Sequence, residues 1–526
     1  MRILEFIVLW VLGCALGGAS VPSAAIDTYQ KRIQEECGFT RYPTLCVQTL
    51  IGLDSRNQHV DLMSALVDKI VHATTLSTSD FANFSSQFGA HEPKRAASVT
   101  AYCEKLMSMS LKRLEQSLLA LKDSPKKNKH DIQTWLSAAI TFQQACKDSA
   151  GDLMVQISKK MEYLSQLGSN PLSLVNRITS TAGKFKNSTT RRLGEEQAFP
   201  KWVSAKDRKL LEATTVKANA IVAKDGSGNY KTISEAIQAA SGKRFVIYVK
   251  SGTYKEKIHT NKDGITLIGD GKYSTIIVGD DSVAEGSSMA GSATFTITGD
   301  GFIARDIGFQ NTAGPQGEQA LALYIASDHS VLFKCSITGY QDSLYALALR
   351  QFYRECDISG TVDFIFGNAA AVFQSCNLVL RRPGRGYNVI LASGRSDPGQ
   401  NTGFSIHKCK ITVSSDFSPV KHSYNSYLGR PWKEYSRSVI MESSIDDAIA
   451  PRGWIEWPGA GSSTLKTLYF AEYSNEGPGS GLHKRVQWPG FHVIGEEEAA
   501  KFTVAKFIDG NSWLPSTGVT FNFGLH

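Results

Sequence analysis

Apolar residues recur every three or four positions along 98–121 and again along 131–167, with Pro125 and a lysine-rich turn between the two stretches. That spacing is the stripe of an amphipathic helix, and it predicts a helical bundle over residues 26–177. From 218 onward the texture changes to short Val/Ile/Phe/Thr-rich runs separated by Gly, Asn and Asp, with few helical stretches beyond 233–240. This predicts an all-β region over 212–526. Residues 178–211 have neither period and read as an exposed linker. At the start, Arg2 precedes an apolar run over 3–16 broken only by Glu5, and small residues follow at 17–20 and 23–25. The pattern is that of a secretory signal peptide over 1–25, cut within 19–25, because the run is short for a bilayer span. A retained signal anchor is the alternative.

A repeat decides what kind of β region this is. The segments CSITGYQDSLY (335–345), CDISGTVDFIF (356–366), CNLVLRRP (376–383) and CKITVSSD (409–416) align on their cysteines, spaced 21, 20 and 33 residues apart. A period near 21 with alternating apolar positions fits the rungs of a right-handed parallel β-helix, the last interval carrying a long loop. A β-sandwich is the competing pattern. Strands on neighbouring rungs lie about 4.8 Å apart, so rung cysteines come within disulfide reach. The expected pairs are Cys335–Cys356 and Cys376–Cys409, with Cys356–Cys376 fitting the spacing equally well. In the helical region, Cys37 with Cys46 staples a short hairpin, and Cys103 with Cys146 ties two long helices. Cys14 falls in the signal peptide, and no CxxC pair occurs; disulfides are therefore expected rather than zinc or redox chemistry.

The same alignment places two carboxylates together. Asp342 follows Cys335 by seven residues and Asp363 follows Cys356 by seven, so they fall on adjacent rungs and one face, roughly 5 Å apart. Two carboxylates that close cannot both ionise easily; one becomes a proton donor and the other stays charged. Turn-capping aspartates are the alternative use, but Leu344, Tyr345, Phe364 and Phe366 argue against a solvated turn.

Charge changes the picture by its location. The formal net charge is +8, yet residues 212–526 hold 30 basic and 30 acidic side chains, and the excess lies in 1–211 with 27 against 19. A nucleic-acid partner for the larger region has no support. The linker alone carries eight basic and three acidic residues. No GxSxG or HExxH motif occurs, which excludes the serine-hydrolase elbow and the common zinc-hydrolase helix. Sequons at Asn83 and Asn187 fit a secreted glycoprotein.

Longer motifs carry a resemblance. AKDGSGNYKTISEAI (223–237), GDGFIARDIGFQNTAGP (299–315), GYQDSLY (339–345), RQFYRECDISGTVDFIFGNAA (350–370), YLGRPWKEYSR (427–437) and GWIEW (453–457) resemble plant pectin methylesterases over essentially all of 215–526. AYCEKLMSMSLKRL (101–114) and DIQTWLSAAITFQQACKD (131–148) resemble the invertase/pectin methylesterase inhibitor family, a four-helix bundle with four spaced cysteines. The resemblance implies hydrolysis of methyl esters in pectin without a metal or other cofactor. Asp363 matches the nucleophile, Asp342 the acid/base, Gln319 and Gln341 the oxyanion-stabilising amides, and Arg430 the partner of the nucleophile. Trp432 matches an aromatic lining the cleft, while Tyr340, Phe364 and Trp454 are candidate sugar-stacking surfaces. Arg208-Lys209-Leu210-Leu211 resembles a subtilase processing site, and Arg191-Arg192-Leu193-Gly194 a weaker one.

Methyl-esterified pectin, the processing subtilase and proteinaceous pectin methylesterase inhibitors are the implied partners. The implied product is a monomeric enzyme in the cell wall, with an N-terminal region that inhibits it or controls its export. Departures from the pattern are Tyr102 for an acidic residue, Tyr324 for arginine, Ser343 for threonine, Ala346-Leu347 for His-Ser and Ser393 for glutamine. A polygalacturonase would need GHG and RIK elements, which do not occur. A non-catalytic wall protein would have no use for both aspartates.

Overall fold

A computed structural model describes residues 23–51, 62–88, 93–151, 154–179, 217–384, 386–459 and 461–525. Cys14, Asn187, the 208–211 processing site and nearly all of the predicted signal peptide lie outside them, and Asn83 falls on a helix whose side chains there are also outside.

The first unit is helical: α1 (Ser23–Cys37), α2 (Pro43–Leu50), α3 (Leu62–Phe88), α4 (Pro93–Asp123), α5 (Lys129–Ala150) and α6 (Val155–Arg177). The last four pack as a bundle around Leu106, Leu114, Leu136, Phe142, Ile157 and Leu164. Disulfides Cys37–Cys46 and Cys103–Cys146 tie α1 to α2 and α4 to α5, as the spacing predicts. The periodic stretch 131–167 is two helices rather than one. It breaks at Gly151, whose φ of +49° suits a residue without Cβ.

Among the described residues the second unit contains twenty-six strands, from β1 (Ala220–Val222) to β26 (Phe491–Val493), in parallel sheets of eleven, eight and seven strands. Seven successive coils, from β2 (Phe245–Val249) to β22 (Ser426–Pro431), each contribute one strand to each sheet, which makes a parallel β-helix. Its interior is a single apolar column that includes Ile247, Phe295, Leu332, Ile358, Phe364, Phe404 and Phe470, all buried, and contains no residue of the bundle. The rungs turn on left-handed residues. Asp306, Lys334, Glu355, Ser375, Lys408 and Glu442 all have φ between 49° and 55°, one per coil between the eleven- and eight-stranded sheets. Short helices near the C-terminus lay Phe502, Phe507 and Trp513 over the outer face of the large sheet.

The four β-helix cysteines are buried free thiols, which corrects both expected pairings. Their neighbours are in register, Ser336↔Asp357↔Asn377↔Lys410. Identical positions on parallel rungs hold Cβ atoms about 4.8 Å apart with parallel side-chain directions. A disulfide requires Cβ atoms about 3.8 Å apart and turned toward each other. Stacking alone therefore brings thiols near without aiming them. Burial raises the Cys335, Cys356 and Cys376 thiols well above their ordinary pKa.

The bundle lies against the outer face of the seven-stranded sheet, and the two share one apolar cluster that joins Leu136 and Phe142 to Tyr324, Leu349 and Phe366. Ion pairs ring this contact. Arg113 reaches Asp300 at 2.6 Å, Asp131 receives Arg350 at 2.6 Å, and Asp397 receives Arg41 at 3.0 Å. Arg350 also pairs with Asp328 through Oδ2 at 2.7 Å, the same oxygen that accepts the Trp135 indole N–H at 3.1 Å. Burial alone would raise Asp300 and Asp328, but the arginines hold both below the usual carboxylate range. The 33-residue interval supplies the loop that includes Gln400 and Asn401, hydrogen-bonded to Ser137 and Thr134 of α5.

Candidate active site

Asp342 and Asp363 sit at the turns that enter β13 (Leu344–Ala346) and β16 (Ile365–Gly367), paired neighbours in the seven-stranded sheet. Both are left-handed, with φ of 63° and 51°, a conformation that aspartate tolerates better than most residues. The Asp342 amide donates to the Val362 carbonyl at 3.0 Å, which locks one turn onto the next. The adjacent-rung placement read from the cysteine spacing is therefore correct.

Arg430, on β22 (Ser426–Pro431), closes over Asp363. Its Nε donates to Oδ1 at 2.9 Å and Oδ2 at 3.2 Å, and its Nη2 donates to Oδ2 at 2.6 Å. The guanidinium is itself held by the Tyr387 hydroxyl, which accepts from Nη1 at 2.9 Å, and by the Trp457 ring, 4.2 Å from its centroid. Reading the sequence missed these last two. Trp457 ends the quoted GWIEW, so that motif was a usable signal; Tyr387 follows an irregular loop and offered none.

The two carboxylates differ in environment. Burial and the neighbouring Asp363 charge raise Asp342 well above the ordinary range, with Arg430 opposing more weakly. Burial also raises Asp363, but there the hydrogen bonds and charge of Arg430 pull back directly. A proton shared by the pair thus belongs on Asp342, and Asp363 is the one held ionised.

Gln319 and Gln341 are bridged neighbours on adjacent rungs, and both line the same cavity as the aspartates, Arg430 and Trp432. Its floor is a stack of Tyr345 on Phe366, ring centroids 4.3 Å apart, with Trp432 edge-on at 6.5 and 5.9 Å. Gly394 makes room for Trp432: a Cβ there would lie 2.7 Å from the indole. Three expected stacking surfaces are elsewhere. Phe364 is a core residue, fully buried. Trp454 is also core, stacked on Phe470 with its indole N–H on Glu472. Tyr340 lies outside the cavity, held by Arg381, whose Nη2 donates to its hydroxyl at 2.8 Å. Phe364 follows Asp363 directly, and the left-handed turn there sends its ring into the core while the carboxylate lines the cavity.

The cavity has a volume of about 1290 Å3, and its far wall is the bundle. Tyr102 of α4 meets Tyr324 hydroxyl to hydroxyl at 3.3 Å, so two departures from the family pattern face each other. Burial pushes the Tyr102 hydroxyl up to about 12. Asp148 at the end of α5 accepts from Lys433 at 2.6 Å, beside Trp432.

A family model described as Pectinesterase matches residues 219–511, and one described as Plant invertase/pectin methylesterase inhibitor matches 31–174. "Probable pectinesterase/pectinesterase inhibitor 54" of Arabidopsis thaliana is 48% identical over 532 residues, spanning 97% of each chain. "Pectinesterase 2" of Citrus sinensis is 44% identical across 94% of this chain and 95% of its own. Among solved structures, the pectin methylesterase from carrot is 51% identical with a TM-score of 0.58, over 60% of this chain and 100% of that one. The Aspergillus niger pectin methylesterase is 30% identical with a TM-score of 0.50, over 57% and 96%.

Proposed function

From the premise that the chain belongs to the pectinesterase family, with a plant inhibitor domain ahead of its β-helix, we propose that it hydrolyses galacturonate methyl esters of pectin through an aspartyl nucleophile. Asp363 attacks the C6 carbonyl carbon. The amide groups of Gln319 and Gln341 receive the charge that develops on the carbonyl oxygen. Asp342 gives its proton to the departing methoxide, so methanol leaves and an acyl-aspartate remains. The Asp342 carboxylate then takes a proton from water, whose oxygen attacks the same carbon and regenerates Asp363 with a free galacturonate. Arg430 keeps Asp363 ionised and aimed before attack and again after hydrolysis releases it.

One observation carries this reading: a buried carboxylate held by three hydrogen bonds from Arg430 sits one rung from a second carboxylate, whose pKa burial and the Asp363 charge raise. Asp363→Asn preserves shape but cannot act as nucleophile. Methanol release from methyl-esterified pectin should fall by roughly 10³ or more, and near-normal release would refute the role.

The bundle is the regulatory part of the same reading. It docks over the cleft and limits access until the basic linker is cut at Arg208-Lys209-Leu210-Leu211 by a subtilase. Secretion to the wall, glycosylation at Asn83 and Asn187, and encounter of the released enzyme with separate inhibitor proteins belong to this proposal. Changing Arg208 and Lys209 to alanine should leave a larger extracellular species or retain the chain inside the cell. N-terminal sequencing of wild-type wall protein that begins near residue 26 would overturn the processing model.

A further inference from the structure

We infer that the docked bundle is a size filter rather than a plug: the uncut chain turns over short methyl-esterified uronides and excludes interior residues of the polymer. This rests on the esterase reading above. Among the described residues, no hydrogen bond joins the bundle to Asp342, Asp363 or Arg430; the arginine's bonds go to Asp363 and Tyr387. The catalytic pair is therefore assembled, not displaced, while the bundle is docked. The space before it is also retained, about 1290 Å3 between cleft and bundle. It opens to solvent, because its lining includes Ser98 and Lys159 of the bundle and Gly286 and Ser288 of the β-helix, all exposed.

Length is limited by the register of the floor. Tyr324, Tyr345, Phe366, Ala392 and Arg430 form one row across successive strands. Tyr102 covers the row at Tyr324 and reaches the Tyr345 hydroxyl as well, while Phe366, Ala392 and Arg430 still line the cavity. Two strand spacings of about 4.8 Å leave a floor about 10 Å long, which suits a short oligomer or a chain end. A polymer interior needs the row to continue past Tyr345 to Tyr324, where Tyr102 stands in the uncut chain.

The test compares the uncut chain with segment 212–526 on the fully methyl-esterified galacturonate trimer and on highly methyl-esterified pectin, reading methanol. The segment has its own core, and the carrot enzyme, matched over its whole length by 60% of this chain, stands alone. The uncut chain should hydrolyse the trimer within about tenfold of the segment's rate, since the pair is unperturbed. It should hydrolyse the polymer about 100-fold more slowly, because a ring that cannot reach the reacting geometry loses at least that much. Ser98→Trp, which fills the space from the bundle side, should suppress trimer turnover by the uncut chain, with an unchanged melting temperature as the folding control. Tyr102→Ala should lengthen the accepted oligomer.

An uncut chain inert on both substrates beside an active segment would show a plug and overturn the inference, leaving the esterase reading intact. An equal trimer-to-polymer ratio in both forms would overturn it as well. A segment inert on both substrates would remove the esterase reading, and this inference with it.

Discussion

Removing Arg430 tests the central electrostatic claim. Asp363 is 4% exposed and Arg430 7%, and three N–H bonds of 2.6 to 3.2 Å join them. An opposite charge at such a distance lowers a carboxylate by about 1–3 pKa units. Arg430→Ala should therefore move the acid limb of log(kcat/KM) against pH upward by about 1–3 units, each worth about 1.4 kcal/mol. The limb belongs to the Asp342–Asp363 pair as a unit, so its alkaline partner should shift in the same direction but less. Arg430→Lys keeps the charge and loses the two-pronged grip, so its profile should fall between the two. Leaving a charged Asp363 buried without a partner would cost about 3–5 kcal/mol, a cost avoided at low pH, where it protonates. The variant's melting temperature should accordingly approach wild type in acid and fall behind as pH rises. The assay is methanol release by segment 212–526 across pH, with melting followed in the same buffers. A profile that keeps its position while KM rises would mean that Arg430 serves substrate binding alone.

Other expected outcomes are equally specific. Asp342 has a raised pKa in the folded protein, so its stabilising effect is complete below the unfolded value near 4 and is lost as pH rises through the folded one. Asp342→Asn should thus gain on wild type by a few degrees of melting temperature between pH 4 and pH 8, and a constant difference would contradict this. Gly394→Ala forces Trp432 off the floor at about 1–3 kcal/mol of overpacking; KM should rise several-fold with kcat nearly kept, and unchanged KM would remove Trp432 from the subsite. Burial lowers His130 and His329 at the bundle contact, each with an unpartnered ring nitrogen. A histidine held neutral loses its contribution as pH falls below about 6.5. The linker-cut chain should then dissociate more readily at pH 5.5 than at pH 7.5 on gel filtration, several-fold less so in His130→Gln, and the opposite trend would refute the assignment.

The β-helix and its carboxylate pair were legible in the sequence because a stacked coil repeats its own register. Residues seven positions beyond cysteines 21 apart must meet wherever the coil closes, and Asp342 and Asp363 do. The two bundle disulfides were legible because the spacing put one pair in a short hairpin and the other on two long helices. What lay beyond the sequence was direction and distance. Phe364 and Trp454 carry the composition of a sugar platform, yet the turns that aim them send both rings into the core. The cysteine column has the spacing of disulfides without the aim, because parallel rungs hold side chains side by side. Tyr102 and Tyr324, 222 residues apart, meet only because the bundle settles on the seven-stranded sheet, where buried apolar area and the Arg113, Arg350 and Arg41 ion pairs select one docking. No periodicity records that choice: it is made between two finished surfaces, after each chain segment has already satisfied its own pattern.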